Sequence, residues 1–170
     1  QELVWFVYVI ELALVFTSRL WSTKKPLNYI LFFIFTFATG VTLVPLLASV
    51  IYEFGSLDII YKALLATTLM FGATALFGWT TRINLHGMGG FLWMSLIGMI
   101  VVSIIHIFLP WSSFFELIFA GFGVIVFSGF TMYDIQNLKI YPQDRAIDAA
   151  LNLYLDIFNL FIFIVRLLTG

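Results

Sequence analysis

Residues 146–168 read AIDAALNLYLDIFNLFIFIVRLL. The run is long and apolar enough to cross a bilayer, which takes ~20 mostly apolar residues. It also carries Asp148, Asn152, Asp156, Asn159 and Arg166. At ~100° per residue these five fall within an arc of about 80°, one polar stripe on an otherwise apolar helix. A charged group at the bilayer centre costs roughly 2.5–3.5 kcal/mol on insertion scales, so such a stripe cannot face lipid. It must face other helices or water. The simplest arrangement surrounds this helix with the others and turns the stripe to a central cavity. The fold class follows: an all-α integral membrane protein, a polytopic helix bundle with its last helix central.

Working outward, apolar runs of similar length recur. They cover about Leu3–Trp21, Leu27–Tyr52, Ile59–Thr80, Gly90–Phe108 and Ser112–Leu138, which makes six spans with the last. Pro26 sits at a first turn, where a helix tolerates proline best. Pro45 predicts a kink. The second link is read as Glu53 to Asp58. No link exceeds ~10 residues, so sequential helices run antiparallel. The chain reads as a single transmembrane domain over residues 1–170.

Loop charge sets the orientation. The first, third and fifth loops hold Arg19, Lys24, Lys25, Arg82, Lys139 and Arg145, whereas the second and fourth hold no Lys or Arg. The first, third and fifth are therefore expected in the cytoplasm, and Gln1 on the far side. The first residues already read as membrane helix, without a signal-peptide pattern.

Composition agrees and excludes several functions. The chain is 62% hydrophobic and 10% charged, against ~25% charged in soluble domains. A net charge of -1 leaves no basic footprint for nucleic acid. The absence of Cys removes disulfides, thiol nucleophiles and thiolate metal sites. His86 and His106 are too few for a His-based metal site. No cofactor is expected. The partners are the lipid bilayer, protons and ions.

The intramembrane carboxyls are the informative residues. Asp148 is near enough to a helix start to be explained by the helix dipole. Asp156 lies too deep for that. Asp134 sits about one turn before the fifth loop, either as a wetted interfacial carboxylate or as a partner for Asp156 across the turn at Tyr141–Pro142. Two carboxyls sharing a low-dielectric site do not both ionise easily, and they titrate in two coupled steps. Such a pair is a proton sensor. A cation would stabilise its doubly charged state, and Arg19, Lys24 and Arg166 are candidates, although snorkelling to the interface explains each equally. Glu11, mid-span in the first helix, is either protonated or paired, and is a candidate pathway residue. Asn152 and Asn159 fit both hydrogen-bonding glue between helices and an ion or proton pathway.

The stretches Thr131-Met132-Tyr133-Asp134-Ile135-Gln136 and Ala149-Ala150-Leu151-Asn152-Leu153-Tyr154-Leu155-Asp156-Ile157-Phe158-Asn159-Leu160-Phe161 resemble the signature of the Bax inhibitor (transmembrane Bax inhibitor motif) family. Phe37-Ala38-Thr39-Gly40-Val41-Thr42-Leu43-Val44-Pro45, with Glu11 upstream, is similar to its earlier helices. The resemblance implies seven helices with the last one wrapped by six, so the family's first helix would precede Gln1. It also implies a bacterial pH-dependent calcium leak, favoured by acid, in which Asp134 and Asp156 are the pH sensor. A basic residue near the cytoplasmic end of an early helix would latch onto Asp134. The run Arg19 to Lys25 supplies the candidates, Arg19 among them. The compact loops look bacterial, so the death-suppressing role of eukaryotic members is not carried over.

The expectation is a calcium leak channel in a bacterial plasma membrane, gated by Asp134 and Asp156, and not an enzyme. Calcium takes 6–8 oxygen ligands. Asp134 and Asp156 would hold it transiently, with Asn152, Asn159, carbonyls and water supplying the rest. A weak site suits passage, since the ion must also leave. A monomer suffices for this reading. The alternatives are a non-conducting membrane regulator or partner protein, a cation/proton exchanger and an intramembrane aspartyl protease. Leu-Tyr-Leu ahead of Asp156, instead of Gly-x-Gly, argues against the protease.

Overall fold

The computed structural model describes residues 2–170, with side chains from Phe6 onward. The expected placement of Gln1 lies outside them. Every regular element among the described residues is helical: α1 (Glu2–Phe16), α2 (Ser18–Trp21), α3 (Leu27–Phe54), α4 (Asp58–Thr80), α5 (Gly89–Phe108), α6 (Ser113–Leu138) and α7 (Ala146–Thr169). Short 3-10 turns at Leu85–Met88 and Gln143–Arg145 lead into α5 and α7.

Five of these helices, α3 to α7, are long and apolar enough to cross a membrane. The sequence suggested six, and the first expected span, about Leu3–Trp21, accounts for the difference. It is broken at Thr17, whose backbone leaves the helix at φ -95°, ψ 3°. Thr17 donates both its hydroxyl (2.6 Å) and its N–H (3.0 Å) to the Ala13 carbonyl. A side chain that takes a backbone acceptor competes with continuation of the helix. The apolar part described, Phe6–Phe16, is shorter than a span.

The other boundaries have local causes. Gly55 closes α3 in the left-handed conformation (φ 64°), and its N–H donates to the Ile51 carbonyl at 2.9 Å, a glycine C-cap. Glu53 and Phe54 are therefore helical, and the second link is shorter than expected. Leu109 is extended (φ -127°, ψ 98°) because Pro110 disfavours helix at the residue before it, so α5 stops at Phe108. Ser112 opens α6, its hydroxyl accepting from the Phe115 N–H at 3.4 Å.

The chain forms two compact units, Gln1–Leu57 with Tyr141–Asn152, and Asp58–Ile140 with Leu153–Gly170. In the first, α1 packs on α3. Two of its buried side chains are satisfied by nearby backbone. Asn28 donates to the Ser22 carbonyl at 3.0 Å and accepts from the Tyr29 N–H at 2.9 Å. Trp21 donates its indole N–H to the Leu14 carbonyl at 3.1 Å.

In the second unit α6 packs on α4 and α5, and small residues permit the approach. A Cβ on Gly78 of α4 would lie 2.5 Å from the Met132 carbonyl oxygen of α6. One on Gly123 of α6 would lie 2.5 Å from the Phe163 ring of α7. Two buried hydroxyls return to their own helices, Thr67 to Ala63 at 2.7 Å and Thr131 to Phe127 at 2.9 Å. Lipid offers no hydrogen bonds, so polar groups must be satisfied inside the protein. On α7, Leu160, Phe161, Phe163, Ile164 and Val165 are all buried. They cover an arc of about 200° round the helix. The outer helices show the opposite pattern. Phe33, Leu69, Leu76, Met94 and Ile125 are each more than 60% exposed, an apolar surface that water would not tolerate and lipid covers. The protein is an integral membrane helix bundle.

Candidate functional site: a carboxyl pair between two helices

Asp134 stands in the last turns of α6 and Asp156 in the middle of α7, within the same compact unit. Their carboxyls lie close enough to interact with each other. Asp156 is buried, 4% exposed, and Asp134 is half-buried. A carboxylate is an acceptor only, so a hydrogen bond between the two requires that one of them carry a proton. No donor among the described residues reaches Asp156 Oδ2. A proton, a cation or a water could satisfy that oxygen. Two carboxyls placed so can share one proton between them.

The remaining stripe residues have separate environments. Asn159 lies one turn beyond Asp156, donates to the Leu155 carbonyl of its own helix at 2.8 Å and lines a cleft of about 280 Å³ with Ser103, Phe127 and Phe163. Asn152 lies in the first unit, where its amide reaches the Tyr141 hydroxyl at 3.5 Å. Asp148 is half-buried in the first turn of α7, and Arg166 is exposed in the last, its guanidinium 5.9 Å from the Phe163 ring centre. Asp148 and Asn152 thus belong to the first unit, and Asp156, Asn159 and Arg166 to the second.

Glu11 is paired in the first unit, accepting from the Thr42 hydroxyl of α3 at 2.8 Å. Arg19 is exposed in α2 and forms no ion pair among the described residues. No group of three or more His, Cys, Asp or Glu among the described residues could hold a metal. Two carboxyls alone fall short of what resident calcium requires.

The sequence did not single out Thr42 or Gln136. Gln136 bridges α6 to the α4–α5 link, its amide donating to the Ile83 carbonyl at 2.8 Å and its oxygen accepting from the Leu85 N–H at 2.7 Å. The only signal was position, two residues after Asp134.

The family described as "Inhibitor of apoptosis-promoting Bax1" matches residues 1–170. Among curated proteins, an uncharacterized protein of Helicobacter pylori is 40% identical over 96% of this chain and 70% of its own length. "Bax inhibitor 1" of Schizosaccharomyces pombe is 35% identical over 96% of this chain and 61% of its own. "Inner membrane protein YbhL" of Escherichia coli is 32% identical over 93% and 70%.

Proposed function

The chain belongs to the Bax inhibitor family, and on that premise we propose that it is a pH-sensitive calcium leak channel whose gate is the carboxyl pair Asp134–Asp156. The observation that carries the reading is the close approach of two carboxyls on different helices, with Asp156 buried. With its shared proton the pair bears one negative charge and links α6 to α7. Losing that proton leaves two like charges in a medium that solvates neither, and only a cation can hold them together. Gaining a proton makes the pair neutral and frees any cation it held. Proton number thus sets both the link between the helices and the hold on a passing ion, and acid favours the leak.

Calcium is the permeant ion here and not a resident cofactor. A pair of carboxyls completed by water binds it weakly enough to release it. The channel needs one copy of the chain and performs no covalent chemistry. The inner-membrane relative supports a bacterial plasma membrane, and the loop charges place the links around Lys25, Arg82 and Arg145 in the cytoplasm.

Reconstitution in liposomes with an enclosed calcium dye tests this reading. The expected result is calcium entry that runs down its gradient and grows from about pH 8 to about pH 5, the interval that brackets physiological titration. Accumulation against the gradient would instead identify an exchanger. The name of the Schizosaccharomyces pombe relative supports a second reading, a non-conducting regulator. Folded protein with no flux above empty liposomes would make that reading the leading one.

A further inference from the structure

The end of α6 is held on two sides. Asp134 turns toward Asp156 of α7. Gln136, two residues on and about 200° further round the helix, turns toward the link between α4 and α5. Its carboxamide spans Asn84, donating to the Ile83 carbonyl (2.8 Å) and accepting from the Leu85 N–H (2.7 Å). A carboxamide offers one donor and one acceptor side by side, as a peptide group does, so Gln136 pairs with the link as a strand of backbone would. Three further contacts act on the same turns. Gly78 of α4 lies against the Met132 backbone, and Gly89 at the start of α5 lies against Tyr133, whose Oη would be 2.9 Å from an added Cβ. Lys139 donates to the Trp79 carbonyl at the end of α4 and lies 5.3 Å from that ring's centre.

We propose that Gln136 is a positioning residue for the carboxyl pair: by bridging Ile83 and Leu85 it anchors the end of α6 to the residue 81–88 link and sets where the Asp134 carboxyl meets Asp156. The inference rests on the pair acting as the proton-sensitive element. α6 is the fixed side of the pair and α7 the side free to answer it. The other charged or titratable groups near this end of the pair are Arg82 and His86 of the link, with the His86 ring 6.3 Å from that of Tyr133, Tyr133 of α6, Lys139 just past its end, and Tyr154 of α7. The facing ends of α4 and α5, Gly78–Trp79 and Gly89–Gly90, carry no charge.

The test is the titration of the pair, followed by the infrared carbonyl stretch of ¹³C-aspartate-labelled protein in lipid, beside the pH profile of calcium flux. Gln136→Ala removes the bridge, lets the carboxyls separate and weakens their coupling. Its two titration steps should draw together by about half a pH unit or more. Gln136→Glu keeps the shape. Protonated, its acid still has a donor for Ile83 and an acceptor for Leu85. Ionised, it loses the donor. This variant should match the native protein at the acid end and Gln136→Ala at the alkaline end. The label separates the aspartate bands from the new glutamate. Aspartate titration unchanged in folded Gln136→Ala and Gln136→Glu overturns the proposal, and if Gln136→Ala does not fold, Gln136→Glu decides alone. Native protein without flux, but with aspartate steps that move in the variants, sinks the leak reading and leaves the positioning role standing.

Discussion

Thr42 donates its hydroxyl to Glu11 at 2.8 Å, and Thr42→Val keeps the shape while deleting the donor. A buried acceptor left without its partner costs ~1–3 kcal/mol, so the variant should melt earlier in detergent, and Thr42→Ser should recover the loss. If Thr42→Val melts with the native protein, the Glu11 contact contributes nothing. The His106–Glu116 ion pair is the opposite case. Its nitrogen and oxygen are 3.3 Å apart, but both side chains are more than a third exposed, so Glu116→Gln should change stability by less than ~1 kcal/mol. At this scale the sequence reveals charges better than neutral partners. Asp134 and Asp156 stood out because a carboxyl in an apolar run has few explanations. Thr42 and Gln136 did not. Hydroxyls such as Thr67 and Thr131 bond only to their own helices, and nothing in the sequence separates them from a threonine that reaches across to another helix.

Helix against helix, the contact between α4 and α6 depends on one missing side chain. The Cβ in Gly78→Ala would stand 2.5 Å from the Met132 oxygen and 2.9 Å from its Cα. Backbone cannot rotate away, so the helices must separate, at a cost of ~1–3 kcal/mol. Gly40 lies in α3 with nothing within 4 Å of an added Cβ, and Gly40→Ala should stabilise by up to ~1 kcal/mol through helix propensity alone. Opposite shifts in melting temperature are the expected outcome; equal shifts would mean that the α4–α6 approach is not tight. The spans from α3 to α7 were legible because each pairs an apolar run with a stop of its own, such as Gly55 or Pro110. The break at Thr17 was not, because its cause is one side chain competing for the Ala13 carbonyl. The meeting of Asp134 and Asp156 was legible only as a possibility. Spacing across a tight turn allows it, but the helix rotations that bring the carboxyls together come from packing at positions such as Gly123 and Phe163.

For the whole molecule, a chain without Cys permits a direct test of topology. Arg82→Cys and Asp144→Cys should react with an impermeant thiol reagent only from the cytoplasmic side, and Leu109→Cys only from the opposite side. Reaction of Arg82→Cys and Leu109→Cys from the same side would refute the orientation. Fold class is the most legible level of all, since 62% hydrophobic and 10% charged residues leave lipid as the only suitable solvent. Function is carried by far fewer atoms and rests on the carboxyl pair. The decisive measurement is calcium flux into liposomes against pH for the native protein, Asp134→Asn and Asp156→Asn. Asparagine mimics the protonated acid and cannot titrate, so both variants should leak at all pH values near the level the native protein reaches in acid. Variants that retain the native pH profile would contradict the account, because the proton that opens the channel would then bind elsewhere.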